Sequence, residues 1–334
     1  MRVTPESAGW RHVGFEVYRI APGARLRREL AGRETCVVVL GGSCDIRSEA
    51  GDWKGVGTRA TPFDGPPAGA YLPPGAAFEI AARSEAVEVA LGHAPAKRGA
   101  TARVLAPGDA RLEIRGSGAM ERRIHHILME DAAAESLLVT EVVTPGGHWS
   151  SYPPHKHDTN DPPRETALEE TYYHRLRDER GFALQRVYTA DRSLDESLAP
   201  RSGDCVLVPR GFHTVSAPPG YDLYYLNVMA GPLRQSSVRA VLPNPSACPP
   251  ITGRCVAMSR RTIGKHPLRC KPCGRTRQAR TWPRRICWAL RTTCEVMLTI
   301  SSTVASFCMA ATGLARPRRI GPTAEAPPIA RAIW

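Results

Sequence analysis

Two histidines one residue apart, His155 and His157, lie in the run Tyr-Pro-Pro-His-Lys-His-Asp. Glu170 follows thirteen residues after the second, and His213 comes later in Val-Pro-Arg-Gly-Phe-His. Residues i and i+2 of a strand point to one face, so both imidazoles of the pair can reach one point. A carboxylate and a third imidazole from neighbouring strands would close a four-ligand site. That donor set suits zinc, iron, manganese and nickel. A His-x-His pair alone is common, and a single histidine is more often structural. The weight rests on all four residues falling in strand-like sequence.

The elements that must position these residues are short. Phe15-Glu-Val-Tyr-Arg-Ile, Cys36-Val-Val-Val-Leu, Ala86-Val-Glu-Val-Ala-Leu and Leu137-Leu-Val-Thr-Glu-Val-Val are apolar or alternating runs. So are Phe182-Ala-Leu-Gln-Arg-Val-Tyr, Asp204-Cys-Val-Leu-Val and Asp222-Leu-Tyr-Tyr-Leu-Asn-Val-Met. Gly, Pro and Asp cluster between them, and long helical periodicity is absent. Many short strands predict an all-β barrel or sandwich. The strands fall into two blocks, 1–95 and 125–234, with 96–124 as a crossing linker. The first block carries only His12 and His93, far apart, so a metal is expected in the second block alone.

Charge separates the body from the last hundred residues. Residues 235–334 hold 17 Lys+Arg against two acids, Glu295 and Glu325, whereas 1–234 hold 28 Lys+Arg against 30 Asp+Glu. The formal charge of +13 is therefore a property of the tail, and the body gives no reason to expect a specific nucleic-acid partner. Three of ten cysteines lie in the body, Cys36, Cys44 and Cys205, and read as small buried hydrophobes. The opening Met-Arg-Val-Thr-Pro-Glu-Ser shows no apolar export signal, which with few body thiols predicts a cytoplasmic protein.

Longer motifs carry a family resemblance. Thr144-Pro-Gly-Gly-His-Trp-Ser-Ser-Tyr-Pro-Pro-His-Lys-His-Asp, Leu168-Glu-Glu-Thr-Tyr-Tyr-His-Arg, Arg180-Gly-Phe-Ala-Leu-Gln-Arg-Val-Tyr-Thr and Gly203-Asp-Cys-Val-Leu-Val-Pro-Arg-Gly-Phe-His occur in order. Together they resemble the 5-deoxy-glucuronate isomerases of myo-inositol catabolism, over residues about 10–234. The resemblance implies a bicupin, two jelly-roll barrels with one divalent metal ion in the C-terminal one. Zinc is the first expectation, with manganese, iron or nickel as alternatives. It implies an aldose–ketose isomerase, an intramolecular oxidoreductase turning 5-deoxy-D-glucuronate into 5-dehydro-2-deoxy-D-gluconate. The metal motif carries over as His155, His157, Glu170 and His213, with Glu169 as the competing carboxylate. His148 stands where the family pattern has Asn. A non-catalytic sugar-acid-binding cupin, or a copy inactivated by a replaced C-terminus, is the alternative. A homo-oligomer without a membrane partner is expected.

Strand parity extends the candidate site. If Glu170 points inward, so do Tyr172 and His174, the candidate catalytic residues. A sugar acid needs a cation for its carboxylate, and Arg186 or Arg175 is the candidate for a bidentate grip. Tyr188, Tyr225 and Asn227 are further candidate substrate contacts.

The tail, 235–334, contains no Asp and only two lysines, Lys265 and Lys271. Its Arg/Pro/Ala/Cys bias suits GC-rich DNA translated out of frame, so a frameshift near residue 235 or a disordered basic extension is expected. Cys270-Lys-Pro-Cys273 lacks a second matched pair for a zinc knuckle. The uncharged stretch Val296 to Ala315 has six Ser or Thr in twenty residues, which speaks against a membrane span.

Overall fold

The computed structural model describes residues 1–241 and 332–333. The N-terminal half supplies β1 (Arg2–Val3), β2 (Gly14–Ile20), β3 (Arg25–Arg28), β4 (Arg33–Gly41), β5 (Cys44–Ser48), β6 (Gly51–Val56), β7 (Ala68–Leu72), β8 (Phe78–Ala82), β9 (Val87–Pro95) and β10 (Arg103–Leu105). The C-terminal half supplies β11 (Arg111–Arg115), β12 (Arg122–Leu128), β13 (Leu138–Thr144), β14 (Trp149–Lys156), β15 (Glu169–Leu176), β16 (Leu184–Tyr188), β17 (Asp195–Leu198), β18 (Cys205–Val208), β19 (Phe212–Ser216), β20 (Leu223–Ala230) and β21 (Arg239–Ala240). A last pair of residues, β22 (Ala332–Ile333), runs parallel to β18. The described residues are all-β apart from the one-turn helix Pro5–Ala8 and the 3-10 turn Gly118–Met120. None of their helices is long and apolar enough to cross a membrane.

Each half builds two sheets. The first half forms β1-β2-β9-β4-β7-β10 and β3-β8-β5-β6; the second forms β11-β12-β13-β20-β15-β18-β22 and β17-β16-β19-β14-β21. Side-chain alternation then decides what each face meets. The large sheets pack on one another through Phe15, Val17, Val38 and Tyr71 from one side and Val139, Tyr173, Tyr224 and Val228 from the other. Strands buried on both faces read as continuous apolar runs, as β4 and β20 do.

The two barrel interiors differ. Between the first pair of sheets lie Tyr18, Val37, Val39, Ile46, Phe78, Ile80, Val89 and Leu91. His93 sits buried on β9, its ring so close to Gly14 that a Cβ at that position would lie 2.0 Å from Cε1. Arg33 Nε donates to His93 Nδ1 at 2.7 Å. In the second barrel apolar packing by Val142, Leu176, Val187, Val206 and Leu223 fills only part of the interior, and a polar cavity occupies the rest. Cys36, Cys44 and Cys205 are buried free thiols, as expected.

Strand pairing reaches into the crossing segment 96–124 and past residue 234. Within 96–124, β10 joins the first large sheet through β7, and β11 joins the second through β12. Arg239 and Ala240 pair with Lys156 and His155, and Thr166 N–H donates to the Ser237 carbonyl at 3.0 Å. The expectations for the frameshifted or disordered tail fall on 242–331 and 334, outside the described residues.

Candidate active site

His155 lies directly across from His213 in the β14–β19 ladder. His157 comes just after β14, and Glu170 opens the inward face of β15. One nitrogen from each of His155, His157 and His213 lies within 4.8 Å of the others. Glu170 Oε2 stands 2.9 Å from His157 Nε2 and 3.2 Å from His213 Nε2. The opposite nitrogens are tied to the backbone. His157 Nδ1 is 3.1 Å from the Leu168 carbonyl, His213 Nδ1 3.2 Å from the Gly211 carbonyl, and His155 Nδ1 3.4 Å from the Pro153 carbonyl. A proton held at Nδ1 leaves each Nε2 free to bind.

Electrostatics agree with a cation at this focus. Burial, then the neighbouring His213, pushes the His155 pKa down to about 3, so that ring is neutral. Burial also acts against charge on His157, but the hydrogen bond and charge of Glu170 outweigh it and raise the pKa. Glu170 itself is held at about 2 by His157 and His213 in spite of burial. A cation would take the place of the proton shared by His157 and Glu170. His213 Nε2 is a buried atom without a hydrogen-bond partner, 3.2 Å from Glu170 Oε2. An orphaned imidazole nitrogen aimed at two other imidazoles and a carboxylate fits a divalent metal ion such as zinc or manganese.

The loops behind these residues are clamped. Asp158 accepts from Gly211 N–H at 2.7 Å, joining the exit from His157 to the approach to His213. Buried Glu165 accepts from the N–H groups of Asp158 and Thr159, both at 2.9 Å, and from Lys156 Nζ at 2.7 Å. Ser151 adopts φ 50° inside the irregular stretch of β14 between Ser150 and His155. Such a bulge re-aims the chain just before the histidine pair. Its hydroxyl stands 3.0 Å from Tyr172 Oη and 3.5 Å from Tyr225 Oη, while Ser150 Oγ is 2.5 Å from Tyr225 Oη.

The cavity above this focus has a volume of about 560 Å³. Tyr172, Tyr225 and Asn227 line it alongside His155, His157 and Glu170. Burial, reinforced by Glu170, lifts the Tyr172 phenol well above its ordinary range, and burial also raises Tyr225. Both are neutral hydroxyl donors. His174 shares the inward parity of Tyr172 but lies deeper, outside the lining, with Nε2 2.8 Å from Gln185 Oε1. Burial takes its pKa to about 4.

Three expected substrate contacts lie elsewhere. Arg186 alternates with the buried Gln185 and Val187, so it faces outward and donates to Asp195 at 2.6 Å. Tyr188 packs beside Phe212 under Arg192 and Arg186. Arg175, on the opposite face of β15 from Glu170, donates to both oxygens of Glu88 at 2.7 and 2.6 Å. Glu169 is also on that face and accepts from the N–H groups of Arg11, His12 and Val13 at 2.7–2.8 Å. The carboxylate at the focus is therefore Glu170. Sequence reasoning missed Ser150, Ser151 and the whole β11–β12 wall, which brings Arg111, Glu113, Arg115 and Arg122 to the cavity. The alternation Arg-Leu-Glu-Ile-Arg over 111–115 was the available signal.

A KduI/IolB family model matches residues 1–241. A 5-deoxy-glucuronate isomerase of Geobacillus kaustophilus is 52% identical over 235 residues, covering 70% of this chain and 85% of that one. That of Bacillus subtilis strain 168 is 42% identical over 235 residues, covering 70% and 86%. Among solved structures, an IolB-like protein from Salmonella typhimurium LT2 superposes with a TM-score of 0.71 at 41% identity, over 72% of this chain and 92% of that one. Lactobacillus farciminis oxalate decarboxylase shares the fold alone, with a TM-score of 0.51 at 12% identity over 72% and 82% of the two chains.

Proposed function

The chain belongs to the KduI/IolB family and is an isomerase with a cupin fold, and from that premise we propose that it is a metal-dependent aldose–ketose isomerase converting 5-deoxy-D-glucuronate to 5-dehydro-2-deoxy-D-gluconate in the cytoplasmic breakdown of myo-inositol. The observation that carries the metal dependence is the meeting of three imidazoles with Glu170, one imidazole nitrogen being buried and unbonded. His155, His157, Glu170 and His213 would hold the ion. Bound there, a divalent ion would polarise a carbonyl as a Lewis acid and make a neighbouring hydroxyl easier to deprotonate.

The reaction exchanges a carbonyl and a carbinol on adjacent carbons. One hydrogen moves between the carbons, and one proton moves from the old hydroxyl oxygen to the old carbonyl oxygen. Tyr172, Ser151 and Tyr225 bring a row of hydroxyls to the cavity wall, continued by Ser150 at Tyr225, with spacings of 2.5–3.5 Å. In this reading Tyr172 donates to the substrate oxygen that gains the proton, and Ser151 with Tyr225 passes the vacancy along. Asn227 is fixed by donating to the Thr171 carbonyl at 3.1 Å and lines the cavity. His174 holds the base of the wall, within 6.2 Å of both tyrosine rings.

Metal analysis paired with an isomerase assay tests the proposal. His157→Ala is expected to lose both bound metal and turnover, and unchanged metal content with full activity would refute it. Tyr172→Phe is expected to keep the metal while kcat falls about 10²–10⁴-fold.

A further inference from the structure

We propose that Arg122 is the receptor for the carboxylate of the substrate, a deepening of the isomerase reading that assigns a binding residue on the β12 side of the cavity. Arg122 opens β12 and is 7% exposed, yet it lines the cavity with His155, Glu170, Tyr172 and Tyr225. Among the described residues no carboxylate lies within ion-pair distance of it, and its hydrogen bond is from Nη1 to the Met120 carbonyl at 2.9 Å.

The other arginines of the cavity lining and the other candidate guanidiniums are engaged, beginning with Arg111, whose Nε donates to Asp131 at 3.3 Å. Arg115 donates to both oxygens of Glu113 at 2.6 and 2.9 Å, and that carboxylate also receives His126 at 2.8 Å. Arg175 is held by Glu88 and Arg186 by Asp195. Arg33 and Arg234, part-buried without an acid, use their donors on the His12 and His93 carbonyls or on those of Leu128, Met129 and Leu137. Arg122 has one carbonyl for five N–H donors.

A buried cation without a counter-charge is costly unless a ligand supplies one. Burial, the largest influence on Arg122, pulls its pKa below the guanidinium norm. The complementary ligand is a carboxylate taken through two parallel N–H···O bonds. A sugar acid held by Arg122 at one end would present its far end to the histidines, and the volume of about 560 Å³ suits a small-molecule site.

The test uses the metal-loaded full chain and a pair of probes differing only at C6, D-glucuronate and D-glucose, with affinities read by calorimetry. The unmodified protein is expected to prefer glucuronate by about tenfold or more, as charge-assisted hydrogen bonds imply. Arg122→Gln should bring the ratio near one, and Arg186→Gln should leave it intact. A protein without the preference, or Arg122→Gln that retains it, overturns the proposal. If circular dichroism shows Arg122→Gln unfolded, a crystal structure with glucuronate decides: the carboxylate on the Arg122 guanidinium supports it, the carboxylate elsewhere overturns it. Turnover of 5-deoxy-glucuronate is scored separately. Its absence beside an Arg122-dependent preference sinks the isomerase reading and leaves the receptor standing; turnover with no preference does the reverse.

Discussion

Glu169 and Glu170 are neighbours on β15, and alternation sends them to opposite sides of the sheet. Glu170 meets His157 and His213, whereas Glu169 caps three backbone N–H groups of the N-terminal segment. Glu170→Gln is therefore expected to weaken metal retention, measured by chelator competition, with little change in fold. Glu169→Gln should keep the metal and cost about 1–3 kcal/mol in denaturant unfolding, since the amide replaces a charged acceptor. Equal metal loss in both variants would contradict this division. At this scale the metal-type residues and the inward set Glu170, Tyr172, Tyr225 and Asn227 were legible, because strand period alone orders them. The arginines were not. A long polar side chain faces whichever side offers an acid, and Asp195, Glu88 and the empty-handed position of Arg122 are known only once strands are paired.

The elements were legible as strands because β-branched and aromatic runs alternate with Gly-Pro turns. Their partners were less so. β11 and β12 resemble a connection because their apolar positions are few, and Leu112 and Ile114 are about half exposed at 53% each. β21 resembles the tail because Arg239 and Ala240 share the Arg/Ala-rich composition of residues 242–334. Yet it pairs with β14 at His155, and Val241 N–H donates to the Pro154 carbonyl at 2.8 Å. Ser236 N–H donates to Glu130 at 2.5 Å beside the cavity. A chain ending at Val241 is therefore expected to hold metal as the full chain does. One ending at Arg234 frees the outer edge of β14 and should release metal at lower chelator concentration, by about tenfold for each 1.4 kcal/mol of lost support. Identical chelator curves for the two would show that β21 leaves the histidine pair unaffected.

Over the whole molecule, acids of one half capture groups of the other, and none of these pairings could be read from sequence because the partners lie far apart in the chain. Glu34 accepts from the N–H groups of Glu135, Ser136 and Leu137 at 2.6–2.9 Å. Arg59 donates to both oxygens of Glu141 at 2.8 and 2.9 Å, and Tyr224 Oη donates to the same carboxylate at 2.9 Å. Burial works against charge on Glu141, but Arg59 and His125 outweigh it and keep its pKa low. Truncating Arg59 to Met leaves a buried carboxylate with no cation bound to both its oxygens, expected to cost about 3–5 kcal/mol, whereas the double variant with Glu141→Met should recover most of that. Acid sensitivity has a definite sign. A carboxyl held low in the folded state stabilises above its unfolded pKa of 4.5, and that share disappears as pH falls through the lower folded value. His93 acts earlier. Burial, then Arg33, lowers it from 6.5 to about 3, so between those values the unfolded chain binds a proton that the folded chain refuses. Stability therefore falls as pH drops below 6.5, by up to about 1.4 kcal/mol per pH unit for each such histidine. His174, lowered to about 4, adds in the same direction. Denaturant midpoints measured from pH 7 to 4 should decline from 6.5 downward, and His93→Gln should flatten that decline by one histidine's share. A flat profile down to pH 4.5 in the unmodified protein would mean that His93 takes up its proton inside the fold, against its burial and the arginine bonded to it.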